Sequence, residues 1–280
     1  MSTRVRAWSN AITLGISGLL GAALLAGCGA AGSHTPAAST AAASTAAGGQ
    51  PVATAVAESA PGLLRTALAA PRAGGSVHIN VDLSDKSAAH TYSDQYSDDA
   101  TASGGRQVIT VGETEHATIL FLDKVGYVQA NLQSLEGFFG VPRLRAEQYA
   151  GRWIALRPGQ HLGQASYADV TAGITLQSVA STAFAFGGRP VLVKSSVIAG
   201  QPVDGLQAPA PAGGGLPATA KNVLYVSSGP VRRPVLLETT GAGSGYQYRM
   251  SFSDWHEALH LTAPANPVSA LLVTPASTTT

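Results

Sequence analysis

The residues with the clearest potential for chemistry lie near the end of the chain. His256, Glu257 and His260 form a His-Glu-x-x-His sequence, which on a helix places two imidazoles on one face to bind Zn²⁺, with the glutamate as a base. Only 20 residues follow His260, and none is His, Asp, Glu or Cys, so the usual downstream third ligand is absent. Pro264 would also stop a helix soon after His260. The sequence therefore favours a last strand at Ala258–Leu261 over a zinc peptidase.

An acidic stretch is the second candidate. Asp94, Asp98 and Asp99 could in principle bind Ca²⁺, but they lack the Asp-x-Asp-x-Asp-Gly spacing and the distal glutamate of a calcium loop. The sequence favours a solvated loop here. No nucleophile elbow, phosphate-binding loop or dinucleotide fingerprint is present. We therefore predict a protein that is not an enzyme and that uses no cofactor or metal.

The N-terminal segment indicates a different chemistry, the acylation of a cysteine. Cys28 is the only cysteine, and it follows Leu25-Ala26-Gly27 at the end of a short apolar run. Arg4 and Arg6 precede that run, as in a secretory signal peptide. The pattern resembles a bacterial lipobox. It predicts a signal peptide over residues 1–27, acylation of Cys28 and a lipid anchor at the extracytoplasmic face of the cell membrane. The alternative is an uncleaved anchor helix with an incidental cysteine.

Composition narrows the classes of function further. Without residues 1–27 the chain has 15 basic and 16 acidic residues and no cluster of Lys and Arg, so we expect no nucleic-acid partner. A single cysteine cannot form an internal disulfide, so stability must come from a hydrophobic core. Charged residues make up 12% and apolar residues 45% of the chain. This balance indicates exposed apolar area or an enclosed cavity, although a coding bias towards Ala and Gly would produce it too.

The remaining chain divides into three parts. Residues 28–56 are almost all Ala, Gly, Ser, Thr and Pro, which predicts a flexible linker. Residues 57–265 form the predicted domain and residues 266–280 a C-terminal tail. Within the domain, alternating strands at short intervals up to residue 130 predict an antiparallel meander. Helical patterns follow, and strands return from residue 190, which indicates one α+β domain with its helices against one sheet face.

Several short motifs occur in a distinctive order. They are Gly75-Ser76-Val77-His78-Ile79, Tyr149-Ala150-Gly151-Arg152-Trp153-Ile154, Gly200-Gln201-Pro202-Val203, Leu224-Tyr225-Val226-Ser227, Pro234-Val235-Leu236-Leu237 and Phe252-Ser253-Asp254-Trp255. Their order after a lipobox resembles the actinobacterial lipoproteins of the LppX/LprG type, which are related in fold to the LolA lipoprotein carriers. His256 stands where that pattern usually has glycine, which supports an accidental His-Glu-x-x-His match.

The resemblance implies an α+β fold, LolA-like, with a curved antiparallel sheet (a half-barrel) and helices packed on its concave face. It also implies an apolar cavity that holds the acyl chains of a lipid or glycolipid ligand, and a possible envelope transport protein as partner. Strand alternation and helix faces select ten candidate lining residues. They are Ile79, Val81, Ile119, Phe121, Leu135, Phe138, Phe139, Leu176, Val179 and Phe184.

Three hypotheses follow. The first is a membrane-anchored lipoprotein that binds and carries a hydrophobic ligand in the cell envelope. The second is a non-catalytic envelope interaction or sensor module, the same half-barrel with a filled core. The third, a zinc peptidase, requires a helix at His256–His260. A cavity of several hundred Å³ or more, the usual size of a ligand site, favours carriage, and a packed interior favours the module.

Overall fold

The computed structural model describes residues 59–72, 75–87, 90–211, 216, 218–241 and 245–274. Cys28, the predicted signal peptide and the predicted linker lie outside the described residues. Within the described part, the strands are β1 (Ser76–Ser87), β2 (His90–Thr101), β3 (Gly105–Val111), β4 (Glu115–Leu122), β5 (Val125–Ala130), β6 (Trp153–Leu156), β7 (His161–Leu162), β8 (Ala165–Ser166), β9 (Val191–Ile198), β10 (Gln201–Pro209), β11 (Lys221–Ser227), β12 (Pro234–Thr240), β13 (Tyr246–Ser253) and β14 (Val268–Ser269).

The helices are short apart from the first. They are α1 (Ala60–Arg72), a π-helical turn (Ser134–Phe138), α2 (Arg143–Tyr149), α3 (Tyr167–Thr171), α4 (Leu176–Ala183) and α5 (Ala270–Val273). Side-chain oxygens accept hydrogen bonds from backbone N–H groups at several of the helix starts. The Asn131 Oδ1 atom accepts a hydrogen bond of 2.9 Å from the backbone N–H of Ser134, and Thr175 and Ser178 exchange backbone-to-hydroxyl bonds at the start of α4. Such caps satisfy backbone groups that a helix end leaves unpaired.

Twelve strands form one curved, unclosed sheet in the order β14-β6-β5-β4-β3-β2-β1-β13-β12-β11-β10-β9. The meander β1–β6 runs to one side, and β13 back to β9 runs to the other, so the two halves join where β1 pairs antiparallel with β13. The pairs are antiparallel except that β14 runs parallel to β6. The predicted α+β half-barrel is confirmed, with its helices on one face.

Alternation decides which residues of β1 reach that face. Val77, Ile79, Val81 and Leu83 are buried, whereas the residues between them point outwards. Adjacent residues also determine the tight hairpin between β4 and β5. Asp123 and Lys124 both have positive φ, at 51° and 62°, as a two-residue turn of the right twist requires.

The core consists of two hydrophobic clusters side by side on the concave face. The first cluster joins β3–β6 to the π-helical turn, α2, α3 and α5. The second cluster joins β1 and β10–β13 to α1 and α4. Tyr96, on β2, packs against both. The two halves of the sheet are thus covered by separate groups of helices.

The C-terminal segment crosses the outer face of the sheet. Residues 254–267 form no helix or strand, so the strand predicted at Ala258–Leu261 is wrong. Leu261 comes within 3.5 Å of the position that a Cβ atom at Gly104 would occupy, which places the segment over β3. The chain then reaches the far edge, where β14 pairs with β6. We call residues 254–267 the outer strap.

The sheet and core extend beyond residue 265, the predicted end of the domain. Val268, Ala270 and Val273 are buried in the first cluster. Thr274 Oγ1 accepts a hydrogen bond of 2.7 Å from the backbone N–H of Gly163. The apolar residues of this segment cover the edge of β6 and would otherwise be exposed, so at least residues 268–274 are part of the folded domain.

Candidate functional site

The inner cavity lies over the middle of the sheet, beside the second cluster and Tyr96, and has a volume of about 110 Å³. Its floor comes from the central strands, including Val81 of β1, Leu237 of β12 and Met250 of β13. Val179 of α4 and Ala172 from the α3–α4 loop cover it. Most of the surrounding surface is apolar. The cavity is therefore the place where the helices of the two halves leave the sheet incompletely covered.

The ten predicted lining residues divide unequally between cavity and core. Val81 and Val179 line the inner cavity. The first cluster contains Ile119, Leu135, Phe138 and Phe139, with Phe121 packed against it, and the second contains Ile79, Leu176 and Phe184. Their aromatic rings contact other rings. The ring centroids of Phe138 and Phe139 are 4.9 Å apart, and those of Phe184 and Phe252 are 5.6 Å apart. Eight of the ten therefore lie in the packed core and do not line the inner cavity.

Two polar residues that the sequence analysis did not select also line the cavity. Asp98 of β2 and Gln107 of β3 are directly opposite each other in the sheet, with 4% and 5% of their surface exposed. The solvated loop predicted around Asp94–Asp99 is wrong, because these residues form β2. Pairing with β1 puts Ile79 opposite Asp98 and Val81 opposite Tyr96, so alternate residues of β2 face inwards. Tyr96, Asp98 and Ala100 are alternate residues of the strand. This alternation was the signal that could have identified Asp98 as an inward-facing residue.

The inner cavity changes the ionisation of Asp98. Burial raises its pKa from 3.8 to about 8, a hydrogen bond from the Gln107 side chain opposes the change, and the charge of Asp99 adds to it. Burial also raises the pKa of Tyr248, with further contributions from Tyr246 and Asp98. Asp98 is therefore predominantly neutral at pH 7, when it can donate as well as accept a hydrogen bond.

The His-Glu-x-x-His sequence has no helical geometry. His256 lies within a turn, with a φ of 67°, and donates its backbone N–H to the carbonyl of Ser76 at 2.8 Å. His260 lies four residues further along the extended outer strap. The two imidazoles therefore do not share a helix face as the zinc motif requires. Nowhere in the described residues do three His, Cys, Asp or Glu side chains come together as a metal site.

A second space lies between the outer strap and the outer face of the sheet. This outer groove has a volume of about 350 Å³ and is lined by Arg106, Trp153 and His260, among others. Its walls are more polar than those of the inner cavity, which lies among residues of the second hydrophobic cluster. We therefore take the inner cavity as the candidate site.

Among the described helices, none has both the length and the apolar character to span a membrane.

No family model matches the chain, and no curated protein matches it. Solved structures do match. LprF from Mycobacterium bovis is 14% identical, covering 74% of this chain and 97% of that one, with a TM-score of 0.46. The lipoprotein LppX from Mycobacterium tuberculosis is 15% identical, covering 72% and 99%, with a TM-score of 0.45. A LolA-superfamily protein from Nitrosomonas europaea is 16% identical, covering 72% and 95%, with a TM-score of 0.28. The chain is similar to the LppX-type lipoproteins and LolA-superfamily proteins that its motifs resemble, and with TM-scores below 0.5 this likeness adds nothing about its ligand.

Proposed function

We propose that this protein binds a hydrophobic ligand in the inner cavity and carries it in the cell envelope, anchored to the membrane through acylated Cys28. The observation that supports binding is an apolar cavity whose wall contains buried polar oxygens without hydrogen-bond partners, on Asp98 and Gln107. An unpaired buried acceptor costs about 1–3 kcal/mol. A core that served packing alone would gain stability from apolar residues at both positions. Apolar walls with a few polar groups are typical of ligand sites.

The size of the cavity sets a condition on this proposal. At about 110 Å³ it is smaller than the roughly 300–1,000 Å³ of most ligand sites, so a lipid tail can enter only if the cover moves. The cover is slight. It includes the eight-residue helix α4 and the loop before it. Each methylene that leaves water contributes about 0.8 kcal/mol, so a long tail can offset the separation of a few side chains.

The small volume and the two packed clusters support a second candidate, the interaction module with a filled core. If the chain is an interaction module, the cavity is a packing defect and the helices stay in place. The two candidates differ in whether hydrophobic molecules occupy the cavity, and blocking it separates them.

We expect Ala172→Phe to weaken the binding of hydrophobic ligand strongly. The new ring would extend from the α3–α4 loop into the cavity and take the space of several methylenes, so occupancy should fall by about tenfold or more. Native mass spectrometry of the chain, purified from a bacterial envelope without detergent, measures the bound mass directly.

Ala258→Phe is the matched control, because Ala258 is exposed on the outer strap and should leave the bound mass unchanged. If the original chain shows no bound hydrophobic molecule, carriage is wrong and the interaction module is supported. If both variants retain the ligand equally, the ligand lies elsewhere.

Replacement of Cys28 by Ala should move the protein from the membrane to the soluble fraction. Two or more acyl chains give stable membrane attachment, whereas an unmodified chain has none. Fractionation of cells that produce each form, followed by immunoblotting, measures this. Cys28→Ala protein that remains in the membrane fraction would contradict the lipid anchor and favour an uncleaved anchor helix.

A further inference from the structure

Two buried acceptors without hydrogen-bond partners line the inner cavity from neighbouring strands. The Oδ1 atom of Asp98 and the Oε1 atom of Gln107 are buried, and neither has a hydrogen-bond partner. A side-chain hydrogen bond joins Asp98 and Gln107 to each other. The pair is therefore held together, while one oxygen of each side chain has no partner. Their positions opposite each other in β2 and β3 put both side chains on the same face of the sheet, where both line the inner cavity.

The charges around this pair restrict what can bind. The ionisable residues that line the cavity with Asp98 are Tyr96, Tyr246 and Tyr248, and no Lys, Arg or His is among its described lining residues. Asp99 alternates to the opposite face of β2, where His78 Nδ1 lies 2.7 Å from its Oδ1 atom. An anionic head would therefore meet no cation that could offset the cost of burying its charge. A fatty acid carboxylate fits this wall poorly.

A neutral hydroxyl fits it well. A hydroxyl has one hydrogen to donate and two lone pairs to accept with, so it can donate to one of the unpaired oxygens. A protonated carboxyl can in turn donate to the hydroxyl oxygen. An ammonium head also donates, but burying it would require a charged pair with a large desolvation cost. The apolar part of such a molecule would contact Val81, Val179 and Met250.

We propose that Asp98 and Gln107 bind the hydroxyl head of a neutral amphiphile, whose hydrocarbon part occupies the apolar remainder of the inner cavity. This inference depends on the proposed function and adds the class of ligand to it. The raised pKa of Asp98 supports it, because the neutral carboxyl offers both a donor and an acceptor at pH 7. The site therefore selects hydroxyl-bearing lipids over free fatty acids.

The test uses three short probes that differ at the head. 1-Hexanol and its isomer methyl pentyl ether have the same atoms, but only the alcohol can donate a hydrogen bond, and hexanoate adds a negative charge. Titration at pH 7, followed by NMR of the whole chain at the Val179 methyl groups, gives the three affinities. We expect hexanol to bind about 3- to 10-fold more tightly than the ether, the effect of one hydrogen bond, and hexanoate to bind most weakly.

Variants assign the preference to the two residues. The double variant Asp98→Leu with Gln107→Met keeps the side-chain sizes and removes both acceptors, so the ratio of hexanol to ether affinity should fall to about one. Gln107→Met alone should lower the ratio in part, which provides a test if the double variant does not fold. Gln95→Met is the matched control. Gln95 is exposed on the outer face of β2, so this change should leave the ratio as it was.

The outcomes separate this inference from the proposed function. If no probe binds, hydrophobic binding itself is wrong, and this inference with it. If alcohol and ether bind equally to the original chain, the cavity binds hydrocarbon without recognising a hydroxyl, and only this inference is overturned. A preference for hexanoate, or a hexanol preference that survives in the double variant, overturns it as well.

Discussion

The folded domain should lose stability as the pH rises from about 4 to about 8, and Asp98→Asn should remove much of that loss. In the unfolded chain the carboxyl has its ordinary pKa of 3.8, whereas in the folded chain burial raises the pKa of Asp98 to about 8. Between these values the folded state holds a proton that the unfolded state has released, so stability falls as pH rises. A single proton gives a slope of at most about 1.4 kcal/mol per pH unit. Urea unfolding at pH 5, 6, 7 and 8 measures the free energy.

Other carboxyls and histidines also titrate in this range, so the informative quantity is the difference between the original chain and the variant. Asn has nearly the same shape as Asp and does not ionise, so the free-energy difference should grow in favour of Asn from pH 5 to pH 8. Asp82→Asn is the control. Asp82 is exposed on the outer face of β1 and should give a curve parallel to that of the original chain. Parallel curves for Asp98→Asn would show that Asp98 ionises within the folded protein at an ordinary pH.

The features that the sequence predicts best depend on neighbouring residues. The alternation of Val77, Ile79, Val81 and Leu83 fixes the inner face of β1, because successive side chains of a strand point to opposite sides. The turn at Asp123 and Lys124, where both residues have positive φ, is equally local. Local patterns of this kind are enough to indicate the meander.

The cavity could not be predicted in the same way, because its position depends on how far apart distant helices lie. Val81 and Ile79 occupy the same face of one strand, yet Val81 borders the cavity and Ile79 does not. Which of them meets open space is decided by α4 and the α3–α4 loop, which lie about 90 residues further along the chain. Periodicity identifies an inward face, but it does not distinguish a packed core from a lined space.

Asp98 and the C-terminal segment show two further limits. A charged residue is seldom buried without a partner, so composition alone places Asp98 in solvent, and only the register of β2 against β1 moves it inside. The path of residues 254–267 over the outer face is likewise set by a distant contact, the pairing of β14 with β6. The His-Glu-x-x-His sequence lies on this segment, and its spacing has no meaning there because the backbone is not helical.

Phe139→Ala should destabilise the domain by about 3–5 kcal/mol, the usual cost of removing a buried aromatic ring. Phe139 is fully buried in the first cluster, with its ring edge-to-face to that of Phe138. It does not line the inner cavity, so the affinity for 1-hexanol should stay within about twofold of the original value. Urea unfolding gives the free energy, and the NMR titration of the Val179 methyl groups gives the affinity. Phe139→Leu, which keeps most of the volume, should cost much less.

Phe121→Ala provides the comparison, because Phe121 is only partly buried, with its ring 6.5 Å from that of Tyr167. Phe121→Ala should lower the free energy of unfolding by less than Phe139→Ala does, because solvent already reaches part of the Phe121 ring. A cost below about 1 kcal/mol for Phe139→Ala, together with a changed hexanol affinity, would contradict the packed first cluster. It would mean that the aromatic residues of the helical region border the ligand space, as the sequence alone predicted, and that this space extends well beyond the inner cavity.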